Sequence, residues 1–308
     1  MRRITQHSFG PPDVLELQTD APMPDVAPGE VLVEVKAIGV NPVDTKVRSG
    51  KRQFAELPLT LGWDLSGVVV EGDFHGFEAG DEVFGLIRFP DPGETYAEYV
   101  SAPAGHLLKK PPTITHEEAA AIPLVFETAW QALVEAAEVS EGDRVLIHAG
   151  AGGVGHVAIQ IAKSKGAYVI TTASAAKHEF LKALGADEVI DYREIDFAEA
   201  VENVDIVFDT VGSGTALKSL PTLKDGGTVV TIVDYMDEEL GEQIRAQDFD
   251  YHGVRVVPNS AHLAEAVKLI AQHKLHIELA AVLSMEAAAK AHELIETGRT
   301  TGKIVLIP

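Results

Sequence analysis

The chain has 308 residues, 46% of them hydrophobic and 23% charged, a balance that suits a folded enzyme with a sizeable core and room for two domains. Its formal net charge of -22, with no visible basic patch, would repel a phosphate backbone and excludes nucleic acid as a partner. The absence of cysteine excludes disulfides, thiol nucleophiles and thiolate-ligated zinc.

The first residues lead into no apolar signal segment, and no later run approaches the roughly 18 apolar residues of a membrane span. A cytoplasmic protein without membrane contact is expected. From residue 1 to about 112 short alternating runs are cut by Gly and Pro. Val31, Val33 and Val35 share one face of such a run, and similar runs follow at 66–70 and 82–86, so this part is expected to be β-rich and antiparallel. After Pro111-Pro112 the texture turns helical: Thr115 followed by Glu118 makes a capping-box pattern, and a long helix is expected over 124–137. Strand-like runs at 145–149, 168–172, 188–191, 206–209, 228–233 and 254–257 then alternate with helical stretches, which predicts a parallel, doubly wound sheet. Helices at 262–272 and 286–296 and a closing strand at 303–307 complete an α/β chain.

The chemistry concentrates where the run Val145-Leu146-Ile147-His148-Ala149 meets Gly150-Ala151-Gly152-Gly153-Val154-Gly155 and then an apolar-periodic helix. In this strand, G-x-G-x-x-G, helix order, Gly150 is expected to permit the tight turn and Gly152 to let the backbone approach a pyrophosphate. Gly155 would let helix pack on strand, and the helix N-terminus would receive the phosphate charge.

A dinucleotide that carries only hydroxyls on its adenosine ribose is held by an acid at the end of the second strand. Here Ala173-Ser174-Ala175-Ala176-Lys177 stands in that place, and the next acid, Glu179, falls inside the following helix. Ser174 and Lys177 can bond and neutralise a 2′-phosphate, with Arg193 as a further cation, so NADPH is expected over NADH. The competing account of Lys177 is a solvated lysine in the first turn of a helix, an unfavourable place for a cation.

Five motifs occur in order: Gly39-Val40-Asn41-Pro42-Val43-Asp44-Thr45-Lys46, Leu61-Gly62-Trp63-Asp64-Leu65-Ser66-Gly67, Gly93-Glu94-Thr95-Tyr96-Ala97-Glu98-Tyr99, the glycine loop, and Gly302-Lys303-Ile304-Val305-Leu306. Over nearly its whole length the chain thereby resembles the medium-chain dehydrogenase/reductase superfamily, in its zinc-independent quinone oxidoreductase family. The zinc-dependent members carry a cysteine near Asn41 and Gly-His-Glu where this chain has Gly62-Trp63-Asp64, so no metal is expected.

The resemblance implies a GroES-like β-rich catalytic domain, 1–118 completed by 261–308, around a Rossmann NADPH-binding domain, 119–260. It implies hydride transfer from NADPH to a quinone or an α,β-unsaturated carbonyl, an activity of EC 1.6.5 type, in a homodimer. Asn41 and Lys46 are the catalytic candidates, as donors to the charge that develops on the acceptor oxygen. Asn41, Thr128, Gly150, Ala151, Gly152, Gly153, Val154, Ser174, Lys177, Tyr192, Val211, Ile232 and Val233 are the cofactor-binding candidates. The strand at 229–233 is a candidate edge for pairing between protomers.

Two other accounts stay open. The same fold serves enoyl-type and ketone reductases of biosynthetic pathways, because the motifs constrain the substrate little. A non-catalytic NADPH-binding sensor or structural protein also fits, because no obligatory acid or base stands out.

Overall fold

A computed structural model describes residues 1–54, 56–72 and 76–308. They divide into two units: Met1–Leu124 with Val257–Val267 and Ile277–Pro308, and Val125–Val256 with Lys268–His276.

In the first unit the strand Glu30–Val40 is central, since Val31, Val33, Val35 and Ala37 on one face and Ile38 and Val40 near its end are all buried. It pairs antiparallel with Asp64–Glu71 along its length, with Tyr99–Pro103 at its start and with Lys303–Ile307 at its end. Among the described residues these belong to a seven-stranded sheet that continues through Glu82–Leu86 to Leu107–Lys109 on one side and reaches Leu279–Ser284 on the other. The capping box forms as expected: Thr115 accepts from the Glu118 N–H, and the Glu118 carboxylate accepts from the Thr115 N–H.

In the second unit the described residues form a six-stranded, wholly parallel sheet. Its order is Glu188–Asp191, Tyr168–Ala173, Arg144–Ile147, Val204–Asp209, Leu223–Thr231, Asp250–Gly253. The chain thus starts in the middle, winds out one way and then the other, which is the doubly wound Rossmann order. Ile170, Leu146, Val207, Val229 and Tyr251 lie side by side across five strands and pack into one core with Leu240 and Ile244 of the helix Glu238–Arg245. Each fully buried aliphatic side chain in that row contributes about 1.5–3 kcal/mol.

Three expectations are corrected. The sixth strand is Asp250–Gly253, not 254–257, because an edge strand paired on one side buries only Tyr251 and so carries no apolar run. The fifth strand has neighbours on both sides, so 229–233 is no edge. The helix over 124–137 is α-helical only for Pro123–Trp130 and widens into a π-helical turn over Gln131–Ala136, where the Ala137 N–H reaches back to the Ala132 carbonyl.

Candidate functional site

The first strand of the parallel sheet ends at Ile147, and the residue that takes the left-handed conformation in the turn after it is Ala149, with φ +50°. Gly150 therefore serves a different purpose from the one expected: a Cβ there would lie 2.1 Å from the Thr171 Oγ1 of the neighbouring strand. At Gly155 a Cβ would lie 2.4 Å from the Ala149 carbonyl oxygen, as expected of a glycine that lets helix close on strand. Gly152 is the N-cap of the helix Gly153–Ser164, and no side chain caps that helix. The N–H groups of its first turn, at half-buried Gly153 and Val154, thereby have no side-chain cap, while the Gly152 N–H donates to the Ala149 carbonyl at 2.9 Å beside buried Ala151. Uncapped helix N-termini are the places where anions such as a pyrophosphate are held.

Among the described residues, the connections after the second, third, fourth and fifth strands carry the remaining expected cofactor contacts of this unit. Ser174 and Lys177, both half-buried, flank the turn after Tyr168–Ala173. Lys177 ends a 3₁₀ turn and is the N-cap of the helix His178–Ala183, so it precedes that helix instead of lying in its first turn. Asp191 ends the third strand and accepts from the Ala175 and Arg193 N–H groups, which hold its carboxyl below the ordinary range, Arg193 first. Tyr192 is more than half exposed and has the Arg193 guanidinium over its ring. After the fourth strand the buried Asp209 accepts from the Val211 and Gly212 N–H groups, leaving the Val211 side chain exposed. Ile232 and Val233 follow the fifth strand and are half-buried. Thr128 is buried in the helix Pro123–Trp130, one turn before the π-helical segment.

Asn41 and Lys46 belong to the first unit. Pro42 at the first helical position and Asn41 as N-cap start the helix Pro42–Arg48, and Lys46 lies half-buried on it. The Asn41 amide is wholly buried, donating to Asp64 Oδ2 at 2.9 Å and accepting from the Lys303 ammonium. Lys303 also donates to the Val40 carbonyl, and Asp64 Oδ1 accepts from the Leu124 N–H. Asn41 therefore joins two strands and a helix start, and its side chain is committed within that network.

Sequence reasoning missed most of this network. Asp44 accepts from the Asn41 N–H at 2.7 Å, and burial pushes its carboxyl up to about 7, against that N–H and the Lys303 charge. The Tyr96 hydroxyl lies 3.1 Å from His292 Nε2, and burial raises its pKa well above the ordinary value. Burial, reinforced by Arg48, pushes His292 down to about 3. Arg48 reaches the half-exposed Glu296 at 2.6 Å. The signal available was the presence of Asp44, Tyr96 and Lys303 inside three of the five motifs.

A zinc ion does not fit here. The chain has no cysteine, Trp63 Nε1 donates to the Asp91 carbonyl among the rings of Phe54 and Phe89, and Asp64 is paired with Lys303. Among the described residues no group of three or more His, Asp or Glu could hold a metal, and no helix is long and apolar enough to cross a membrane.

Comparison with known proteins gives the family. A model of the alcohol dehydrogenase GroES-like domain matches residues 27–112, and a zinc-binding dehydrogenase model matches 184–306. The chain is similar to 2-methylene-furan-3-one reductase of Solanum lycopersicum, at 34% identity over 100% of this chain and 79% of the relative. Among solved structures it is similar to the quinone oxidoreductase from Coxiella burnetii, with a TM-score of 0.95 and 41% identity over 100% of this chain and 99% of that one. It is also similar to Escherichia coli quinone oxidoreductase complexed with NADPH, with a TM-score of 0.87 and 30% identity over 100% of both chains.

Proposed function

The chain belongs to the medium-chain dehydrogenase/reductase superfamily, in its zinc-independent quinone oxidoreductase family, and from that premise we propose that it is an NADPH-dependent reductase of quinones or α,β-unsaturated carbonyls. The observation that carries this reading is the uncapped glycine-turn helix at the carboxyl ends of parallel strands, next to a second strand that is followed by Ser174 and Lys177 instead of an acid. NADPH, when bound, supplies the hydride.

The chain's own residues bind and orient. The N–H groups after Gly152 take the pyrophosphate, Ser174 and Lys177 take the 2′-phosphate, and Tyr192 packs on the adenosine. Thr128, Val211, Ile232 and Val233 bound the nicotinamide half. Lys46 is the cation that we assign to the acceptor oxygen, where charge develops as hydride arrives. Asn41, through Asp64 and Lys303, holds the start of the helix that carries Lys46. The assembly that we assign is a homodimer, which light scattering checks.

The test is to mix the protein with NADPH and a panel of quinones and enones and to follow loss of nicotinamide absorbance. Turnover of at least one acceptor is expected; none across the panel overturns the reading.

A further inference from the structure

His148 follows the first parallel strand, Arg144–Ile147, is almost wholly buried and faces the ring of Phe197. Its Nε2 lies 2.9 Å from Ser219 Oγ and its Nδ1 lies 3.2 Å from Thr172 Oγ1. Each hydroxyl has a single proton, and where that proton is already committed the direction of the bond to His148 is settled. Ser219 Oγ gives its proton to the Thr215 carbonyl at 2.7 Å, so toward His148 it can only accept, and Nε2 must carry a hydrogen. Burial, with Lys218 nearby, pushes the imidazole pKa down to about 4, so the ring is neutral and Nδ1 is bare. Thr172 then donates to Nδ1 and offers its oxygen to the Ala149 N–H, 3.2 Å away.

The chain of bonds therefore runs from the Ala149 N–H through the Thr172 hydroxyl to His148 Nδ1, and from His148 Nε2–H through the Ser219 hydroxyl to the Thr215 carbonyl. One end holds the left-handed residue of the glycine turn, a conformation that costs a non-glycine residue roughly 1 kcal/mol or more. The other end holds the helix Thr215–Lys218 that follows the loop carrying Val211. The same loop is held at its start, where the Thr210 hydroxyl donates to the His148 carbonyl at 2.8 Å.

We propose that His148 is a positioning residue: locked as the neutral Nε2–H tautomer, it joins the pyrophosphate turn to the 210–214 loop, so that the two places that grip the halves of one dinucleotide keep a fixed spacing. This rests on the reading of the second unit as an NADPH site. None of Thr172, Ser219 and His148 touches the cofactor in this account; they act through Ala149 and through the loop.

The test has a spectroscopic arm and a binding arm. In the wild-type protein, ¹⁵N shifts of His148 should show a bare Nδ1 and a protonated Nε2 from pH 8 to pH 6. The opposite tautomer, or an imidazolium, overturns the inference and leaves the NADPH reading untouched. In the binding arm, Ser219→Ala should weaken NADPH about tenfold, the effect of losing one buried link, and 2′-AMP by less than about twofold, since 2′-AMP lacks both the pyrophosphate and the nicotinamide. Thr172→Val, which breaks the other end of the chain, should repeat that pattern and serves if Ser219→Ala fails to fold. Equal weakening of both ligands would make the contact merely structural, and no weakening of either would likewise overturn the inference. Failure of the wild-type protein to bind NADPH overturns the reading beneath it and the inference with it.

Discussion

The Lys303 ammonium stands 3.5 Å from Asp64 Oδ2, and both side chains are closed off from solvent, at 3% and 0% exposure. Burial drives each toward its neutral form, lowering Lys303 and raising Asp64, and each charge opposes the shift of the other. Such a pair contributes little over an apolar pair, yet removing one member strands the other. Lys303→Met should therefore cost about 3–5 kcal/mol in chemical denaturation, and Asp64→Asn a loss in the same direction. The double variant should lose much less than the sum of the two. Additive losses would show that the two groups do not compensate one another.

Asp44 makes stability depend on pH in an unusual direction. Its folded pKa of about 7 lies above the usual carboxylate value of about 3.9, so between these the folded protein holds a proton that the unfolded chain releases. Stability from this group falls as pH rises through that window, by at most about 1.4 kcal/mol per pH unit, and the loss is complete above the upper value. His148 and His292, pulled down to about 4 and about 3, act oppositely. Their contribution is lost as pH falls from about 6.5, where the unfolded chain binds protons, through those folded values. Asp44→Asn keeps an oxygen for the Asn41 N–H and should gain stability relative to wild type steadily from pH 4 to 7 and then level off. Parallel denaturation profiles for the two proteins would contradict the assignment.

The parallel sheet and its glycine turn were legible because both rest on local patterns: apolar runs of strand length, and glycines at set spacing where helix must meet strand. The edge strand was not legible, since Asp250–Gly253 needs only Tyr251 to bury and has the composition of a loop. Glycine is the usual bearer of positive φ, so the sequence points to Gly150 for the tight turn. Here Ala149 takes that conformation, held by Thr172, and Gly150 is required by the hydroxyl of Thr171 instead. The buried network was the hardest part: Tyr96 and His292 meet across 196 residues of sequence, and no local pattern encodes such a contact. Asn41 shows the limit from the other side, because its motif is recognisable while its commitment to Asp64 and Lys303 is visible only in three dimensions.

The glycine turn separates packing from binding. Gly155→Ala would place a Cβ 2.4 Å from one backbone atom and 2.8 Å from another, and backbone cannot step aside. It should cost the most stability, about 1–3 kcal/mol or more. Gly150→Ala meets a side-chain hydroxyl, which can rotate only by giving up its bond to the Ile147 carbonyl, and should follow. At Gly152 the nearest atom is 3.2 Å away, so Gly152→Ala should fold nearly as well as the control Gly105→Ala, whose Cβ meets open space. It should nonetheless bind NADPH more weakly than that control, because the added methyl stands where a phosphate approaches the helix N-terminus. Thermal melts rank the four variants, and NADPH titration of Gly152→Ala and Gly105→Ala decides the last point; equal affinities would move the phosphate elsewhere.

Lys177 offers the sharpest discrimination between the two pyridine dinucleotides. The nearby acid, Asp191, has its carboxylate turned to the Ala175 and Arg193 N–H groups, so it is tied to the backbone of the same turn. A ribose hydroxyl would find no second-strand acid to accept its proton, whereas a phosphate would find Ser174 and the Lys177 ammonium. A charge-assisted contact of this kind is worth about 1–3 kcal/mol, or roughly a five- to hundredfold change in affinity. Lys177→Ala should therefore weaken NADPH by that amount in direct titration and leave NADH nearly unchanged. Because Lys177 precedes the helix His178–Ala183 as its N-cap and donates no side-chain cap to it, the substitution should not unfold that helix. Equal loss for both cofactors would mean that Lys177 shapes the turn and does not read the phosphate.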